Sequence, residues 1–249
     1  MTTTTYTTVK EIPIIPATWG DLFKRLDWLN VICFGTPHLF TIWGFMTVSW
    51  QWETFVLFLV GLSVSSTGMK LSETFNAHCI ILPLAFVVGY HRLWSHRTFV
   101  PTRSLEYSLA FVSTSAFQRT ILWWARDHRA HHRHIDTDLD PCMANRGFWW
   151  RHLGWFLIKP AKVAPVDLTD LTSNPAVMWQ VKWYWPMSLV TSFVVPMTIA
   201  GLGWGDWKGG LLYAGCLRIN LVHNVCLIPS FPVIIIIMLI MLYAGNTIC

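Results

Sequence analysis

The sequence predicts an all-α integral membrane protein, with roughly four membrane-spanning helices and a cytosolic helical cap. Of its 249 residues, 53% are hydrophobic and 12% are charged, whereas a soluble domain carries about 25% charged residues. The 16 Trp residues also favour a membrane protein, because indole rings collect where acyl chains meet headgroups. A soluble core of unusual composition is the weaker alternative.

Positive charge indicates how the chain is oriented. Ten of the 18 Lys and Arg residues lie between His91 and Pro160, in a connection between hydrophobic stretches. Loops rich in Lys and Arg remain on the cytoplasmic side of a membrane. We therefore predict that this connection faces the cytosol, next to lipid headgroups or an anionic ligand. No nucleic-acid-binding module accompanies the charge, so nucleic acid is not an expected partner.

Hydrophobic stretches set the order of the predicted helices. A membrane-spanning helix needs about 20 mostly apolar residues. Three stretches meet or approach that length: Trp28 to Val48, Tyr184 to Trp204 and Gly209 to Ile228. Phe55 to Val64 is too short to span alone, and Ala77 to Val88 leads directly into the first histidine cluster. The Thr-rich start lacks the apolar core of a signal peptide, so the first span is predicted to target the chain.

Two histidine clusters carry the predicted chemistry. The first is His91-Arg-Leu-Trp-Ser-His96, and the second is His128-Arg-Ala-His131-His132. On a helix, positions i, i+3 and i+4 share a face, so the three histidines of the second cluster are predicted to point at one centre. His91 and His96 are five residues apart and lie about 140° around an α-helix. They can share a centre if the helix ends or distorts there; otherwise they serve different metal ions.

The clusters together favour a metal site. Imidazole is a common ligand of Zn, Cu, Fe and Ni, and an all-imidazole site without a nearby Cys argues against structural zinc. Either cluster alone is a weak signal. Both clusters beside membrane spans are a stronger one, because imidazole near a bilayer is costly unless it is paired or ligated.

The residues around the clusters resemble a known family. Gly89-Tyr-His-Arg-Leu-Trp-Ser-His-Arg97 and Trp124-Ala-Arg-Asp-His-Arg-Ala-His-His132 are similar to the first two histidine boxes of the stearoyl-CoA (Δ9) acyl-CoA desaturases, in a fungal style, and the likeness continues to Trp155. The resemblance implies a multi-pass enzyme of the endoplasmic reticulum membrane with its histidine boxes in the cytosol. It further implies a di-iron centre that uses O2, and electrons from cytochrome b5 and its reductase, to insert a cis double bond into a fatty acyl-CoA.

The resemblance also implies a role for individual residues. The matching iron ligands are His91, His96, His128, His131 and His132. The matching substrate-binding residues are Asn30, Arg126 and Asp127 at the CoA headgroup, Gln118 and Trp124 at a bend of the acyl tunnel, and Trp155 near its mouth. Such a tunnel would select the reacting methylenes by position. For Trp124 and Trp155, anchoring at the membrane interface is an equal alternative.

Two segments depart from the family pattern. In the family, the sequence at Gly61 would run almost directly into Gly89, and a third histidine box would follow the last span; neither is found here. The predicted organisation is an N-terminal tail at 1–27, an incomplete desaturase domain at 28–228 with an insertion at about 65–86, and a hydrophobic tail outside the family at 229–249. The missing box implies that the di-iron centre is incomplete in this chain. We predict that the segment at about 65–86 and the sequence after Asn224 are translated intron.

Three functional hypotheses remain open from the sequence. The first is an acyl-CoA desaturase, which the residues around the boxes favour. The second is another histidine-box di-iron oxidase of membranes, such as a hydroxylase. The third is a catalytically inactive, truncated desaturase-like membrane protein that retains a fold or a partner interface.

Overall fold

The computed structural model of this protein describes residues 18–66, 87–135, 137–159 and 164–227. Within those ranges the regular structure is helical, as predicted, and the one β-type pairing is an isolated bridge between Leu26 and Ile158. The α-helices are α1 (Trp19–Arg25), α2 (Trp28–Thr47), α3 (Trp52–Ser66), α4 (Arg103–Val112), α5 (Ile121–Arg133), α6 (Trp155–Leu157), α7 (Thr169–Thr172), α8 (Pro175–Leu189), α9 (Val195–Trp204), α10 (Trp207–Gly209) and α11 (Arg218–Leu227).

Stretches of π-helix interrupt this order. They are Val87–Ser95, Trp150–Gly154, Val190–Val194 and Gly210–Leu217. A π-helix bonds each N–H to the carbonyl five residues earlier, and such stretches occur frequently at functional sites. The first of them contains His91 and ends immediately before His96.

Among the described residues, two helices are long and apolar enough to cross a membrane. They are α2, with 20 residues, and the continuous helix Pro175–Trp204, with 30 residues. Only 22% and 28% of their apolar windows is buried inside the protein, so most of each helix faces outward, as a lipid-facing helix must. Length and composition thus support two of the roughly four predicted spans, and the other two remain predictions.

Gly209 to Ile228 was predicted to span the membrane; its described part, through Leu227, lies in the centre of the helix bundle, where it packs against α2, α3 and α9. Its buried side chains include Leu212 and Ile219. Gly210 permits this packing, because a Cβ there would come within 2.8 Å of the Pro196 carbonyl oxygen. Small residues let helix backbones approach closely in this way.

Arg218 connects this central helix to its neighbours. Its guanidinium is buried and donates to the carbonyl oxygens of Ala214 at 2.9 Å, Ser115 at 2.8 Å and Ser192 at 3.1 Å, and to the Ser65 hydroxyl. Buried polar groups must be hydrogen-bonded. Arg218 therefore satisfies carbonyls that belong to several different elements, and it ties those elements together.

A separate apolar core lies beneath the histidine clusters. Tyr90, Trp94, Trp124 and Leu171 are buried in it, so the first π-helix, α5 and α7 share one interior. α5 begins after Thr120, whose side chain accepts the Trp123 N–H at 3.2 Å as an N-cap. Ile121, Trp124 and Ala125 of α5 are buried in this core. His128 and His132 continue the same face of the helix beyond Trp124, because residues three or four apart share a face.

The predicted domain limits fall partly outside the described residues. The predicted insertion at about 65–86 lies outside them except for Ser65 and Ser66, at the end of α3, and the predicted tail 229–249 lies outside them entirely. α1 occupies part of the segment that we predicted as the tail 1–27. Thr18 caps the start of α1. The bridge between Leu26 and Ile158 joins this part of the chain to the segment that follows the second cluster.

Candidate metal centre and adjoining pocket

Four imidazoles converge on one point. The Nε2 atom of His96 lies 3.1 Å from that of His91 and 3.0 Å from that of His128, and His132 Nε2 lies 3.1 Å from His128 Nε2. One ring nitrogen from each of the four lies within 4.8 Å of the others. The structure thus brings both clusters to a common centre.

The π-helix explains why His91 and His96 meet. The His96 N–H donates to the His91 carbonyl at 3.0 Å, which is the five-residue bond of a π-helix. The wider turn brings residues five apart nearly above one another. Of the alternatives that the sequence left open, the distorted helix is the one observed.

Three histidines of α5 were predicted to point at one centre, and two of them do. His128 and His132 are four residues apart and share a face. His131 turns away, because its Nδ1 pairs with Asp140 Oδ1 at 2.8 Å. Asp140 is buried and also accepts the Cys142 N–H at 2.9 Å. His131, Asp140 and Cys142 form a second group of possible metal ligands, so the expectation of no Cys near the histidines was wrong for His131.

The converging imidazoles are held as neutral bases. Burial, followed by the charge of neighbouring imidazoles, lowers the pKa of His91 to about 4 and that of His128 to about 2. Burial also lowers the pKa of His96 and His132. Neutral imidazole offers the lone pair that a metal ion needs.

This arrangement fits a metal ion. Adjacent ligand nitrogens that each lie about 2.1 Å from an ion are about 3.0–3.4 Å from each other. The three Nε2 separations that link His91, His96, His128 and His132 in turn are 3.0–3.1 Å, close to that range. His96 and His132 are exposed while His91 and His128 are partly buried, so one side of the centre is open. An open side is what a reactive metal site needs in order to admit another ligand.

Trp124 lies against the centre. Its ring stacks on His128 with 4.6 Å between centroids and an angle of 18°, and it also meets the rings of Tyr90 and His91 edge-on. Trp124 is buried, whereas a tryptophan that anchors a protein at the membrane interface must reach that interface. Its place at a tunnel bend remains a prediction.

A cavity of about 290 Å³ adjoins the second cluster. Among the predicted substrate-binding residues, Asn30, Arg126, Asp127 and Trp155 line it, and Gln118 and Trp124 do not. Asn30 donates from Nδ2 to the Phe156 carbonyl at 2.7 Å, and its Oδ1 has no hydrogen-bond partner among the described residues. Asn30 thus joins α2 to the segment that contains Phe156 at the wall of the cavity.

Further charged residues line the same cavity. Arg119, Arg146 and Lys159 were not predicted to belong to it. Arg126 pairs with Asp127 at 2.7 Å and Arg119 with Asp27 at 3.6 Å, and burial raises the pKa of Asp127. A guanidinium has five N–H donors, so each of these arginines can bind an anion while it keeps its carboxylate.

Gln118 lies in a buried turn between α4 and α5. The residues on either side of it, Phe117 and Arg119, have φ angles of 55° and 74°, a conformation that is uncommon outside glycine. The Arg119 N–H donates to Tyr184 Oη at 2.7 Å, and Tyr90 Oη donates to the Arg119 carbonyl at 2.8 Å. These bonds fix the turn that leads into α5.

Comparison with known proteins gives concordant results. The family model described as "Fatty acid desaturase" matches residues 71–244. That range includes most of the predicted insertion and most of the predicted tail, and so it does not separate them from the family sequence. The range also contains both histidine clusters.

Individual relatives agree with the family match. A "Probable acyl-CoA desaturase" of Schizosaccharomyces pombe is 37% identical over 86% of this chain and 42% of its own. "Acyl-CoA desaturase 1" of Saccharomyces cerevisiae is 32% identical over 84% of this chain and 38% of its own. An "Acyl-CoA Delta12-desaturase" of Acheta domesticus is 37% identical over 79% of this chain and 54% of its own. The chain thus spans about half the length, or less, of these curated relatives.

Proposed function

Because this chain belongs to the fatty acid desaturase family, we propose that it acts in the O2-dependent insertion of a cis double bond into a saturated fatty acyl-CoA at a histidine-ligated iron centre. The observation that carries the proposal is the convergence of four imidazole Nε2 atoms, with neighbouring atoms 3.0–3.1 Å apart. The resemblance of the histidine boxes supports Δ9 as the position of the double bond.

The protein's own residues would hold and orient the iron. His91, His96, His128 and His132 would supply four neutral nitrogens to one ion, and His131 would supply one toward a second ion. Iron, when bound, supplies the activation of O2 that removal of hydrogen from an unactivated methylene needs. Trp124 covers one side of His128 and keeps water from that face.

The adjoining cavity would bind the CoA headgroup. Arg126 and Asp127 occupy α5 immediately before His128, so one short helix holds both the predicted headgroup contacts and the metal ligands. A guanidinium binds phosphate oxygens through two parallel hydrogen bonds. Fixing the headgroup there would fix which methylenes of the acyl chain reach the metal centre.

The setting of the reaction follows from the same proposal. The histidine clusters would face the cytosol at the endoplasmic reticulum membrane, where cytochrome b5 and its reductase would deliver electrons. The excess of Lys and Arg between His91 and Pro160 supports this orientation.

A second candidate is a membrane protein that binds metal without desaturating fatty acids. It is favoured by the separation of His131 from the four converging imidazoles, because among the described residues His131 is grouped with Asp140 and Cys142 and not with a second set of histidines. The hydroxylase or other histidine-box oxidase, which was the second hypothesis from the sequence, would differ from both candidates in its products.

Expression of the chain in a desaturase-deficient yeast tests these readings. The measurements are the unsaturated fatty acids of the cells and the iron content of the purified protein. Double bonds at Δ9 together with bound iron would support the proposal. Hydroxylated fatty acids would support a hydroxylase. Bound iron without any product would support the second candidate, while a chain with neither would contradict both.

Paired variants make the iron measurement specific. We expect His96→Gln and His128→Gln each to lower the iron content severalfold, because each removes one of four converging ligands. His134→Asn is the matched control, since His134 lies beside the second cluster and outside both groups of possible ligands. An equal loss in all three variants would argue that the iron is bound elsewhere.

A further inference from the structure

The two histidine clusters sit on different elements, and a carboxylate outside both connects them. Arg97 directly follows His96, and Arg129 directly follows His128. Both guanidinium groups reach the carboxylate of Asp170, on α7. In each histidine segment, the arginine that directly follows a histidine forms an ion pair with Asp170.

Arg129 makes the stronger of the two links. Its Nη1 and Nη2 each donate to an oxygen of Asp170 at 2.8 Å, which is a bidentate pair. Nη1 also donates to the Asp167 carbonyl at 2.9 Å, and Nη2 donates to the Trp94 carbonyl at 2.5 Å. Trp94 belongs to the first π-helix, so Arg129 joins α5, α7 and that π-helix directly.

Arg97 ends the first histidine segment in an unusual conformation. Its φ is 53°, and a residue with a side chain adopts such a value only at some energetic cost. Its Nη2 lies 2.7 Å from Asp170 Oδ1. The ion pair helps to hold the backbone turn that immediately follows His96.

Most ion pairs on a protein surface contribute little to stability. This one differs in geometry, because the pair is bidentate and the Arg129 side chain is only 11% exposed. Loss of the acid would leave a largely buried guanidinium without its counter-charge, which is costly. α7 is also held independently, since Leu171 is buried in the core beneath the clusters.

We propose that Asp170 is a positioning residue for the metal centre: its carboxylate binds Arg97 and Arg129 and thereby fixes the first histidine pair against the second. The inference rests on the proposed function, because it concerns the same four imidazoles. Residues that orient the ligands of a metal typically change its affinity by about 10–100-fold when they are replaced.

Co²⁺ binding to the purified full chain in detergent tests the proposal, because the visible spectrum of bound Co²⁺ reports the geometry of its ligands. We expect Asp170→Asn to weaken Co²⁺ binding at least about tenfold and to alter the spectrum. Asp170→Glu should recover part of the affinity, and Arg129→Gln should cost more than Arg97→Gln, since Arg129 makes more bonds. Asp167→Asn is the control, because it removes the same charge three residues away and leaves the Asp167 carbonyl bond to Arg129 in place.

Hydrogen exchange in the metal-free chain gives a second readout. The His96, Arg97 and Thr98 amides donate to carbonyls of the first π-helix at 3.0–3.2 Å. We expect Asp170→Asn and Arg97→Gln to speed exchange at these amides about tenfold or more relative to Asp167→Asn, because the turn loses its anchor. Arg97 is 55% exposed, so this variant remains informative if Asp170→Asn does not fold.

The outcomes separate this inference from the proposed function. Wild-type Co²⁺ affinity and spectrum in folded Asp170→Asn, or unchanged exchange in Arg97→Gln, would overturn the positioning role while the metal centre stands. A wild-type chain that binds no Co²⁺ would defeat the proposed metal centre. In that case the exchange measurement still decides whether Asp170 holds the two segments together.

Discussion

Neighbouring residues of α5 contribute to two different sites, the metal centre and the pocket. His128 and His132 face the other imidazoles, while Arg126 and Asp127 line the cavity. Asp140 then draws His131 out of the four-imidazole group. Because the Asp140 carboxylate accepts, the His131 Nδ1 donates, and the bond fixes the orientation of the His131 ring.

Arg126 offers a direct test of the pocket. We expect Arg126→Gln to weaken palmitoyl-CoA binding about 10–150-fold, because a charge-assisted hydrogen bond contributes about 1.5–3 kcal/mol. Calorimetry on the detergent-solubilised protein measures it. Arg103→Gln is the control, since Arg103 is exposed and outside the cavity. Equal affinities for the wild type and Arg126→Gln would place the CoA headgroup elsewhere.

Two short segments, the first π-helix and the turn before α5, depart from regular α-helical geometry. The first π-helix brings a five-residue spacing to one centre, and the turn before α5 holds two left-handed residues in place. Neither feature is regular α-helix. Both depend on specific neighbours, so both can be tested by small substitutions.

The π-helix depends on Gly89. A Cβ at this position would lie 2.6 Å from Trp94 Cζ3 and 3.0 Å from Ser113 Oγ, so we expect Gly89→Ala to cost about 1–3 kcal/mol of stability and to weaken metal binding. Thermal unfolding and Co²⁺ titration measure the two effects. Gly35→Ala in α2 is the control, because nothing lies within 4 Å of its Cβ. A Gly89→Ala variant as stable as Gly35→Ala would show that this packing is not required.

The turn before α5 depends on Tyr184. Its Oη accepts the Arg119 N–H at 2.7 Å, and a buried donor without a partner costs about 1–3 kcal/mol. We therefore expect Tyr184→Phe to lower the thermal midpoint in detergent, although the ring is retained. An unchanged midpoint would mean that the Arg119 N–H finds another acceptor.

The sequence allowed part of the site to be predicted. A four-residue spacing on an α-helix was sufficient to place His128 and His132 together, and the alternative of a distorted helix covered His91 and His96. The π-helix itself could not be predicted, because the usual periodicity assumes 3.6 residues per turn. The pairing of Asp170 with Arg129 could not be predicted, because the two residues lie 41 positions apart in the sequence. The role of Asp140 could be predicted only by asking which carboxylate pairs with His131.

In the whole molecule, protonation of the imidazoles opposes folding when no metal is bound. The folded pKa values of His91 and His128, about 4 and about 2, lie below the ordinary value of about 6.5. The unfolded chain therefore binds more protons between these values, and stability falls as the pH drops below about 6.5. We expect the thermal midpoint of the metal-free chain to fall from pH 7 to pH 5, and to fall less in a His91→Gln, His128→Gln double variant. Parallel profiles would contradict this explanation.

Buried hydrogen bonds join the apolar helix bundle to the part of the fold that carries the histidine clusters. Arg218 in the central helix bonds to the Ser115 carbonyl, just before the turn that leads into α5. The all-helical class was predictable from composition and apolar stretches. Length and composition support two of the roughly four predicted spans among the described residues, and the other two remain predictions.

Iron binding tests the central claim most directly. The full chain, loaded anaerobically with Fe²⁺ and freed of excess metal, should retain at least one iron per chain, with an X-ray absorption signature of several imidazole ligands. A variant with His91, His96, His128 and His132 all replaced by Gln should retain none. Two results would contradict a metal centre at the four converging histidines: equal iron retention by the wild type and this variant, or no iron retention by either protein.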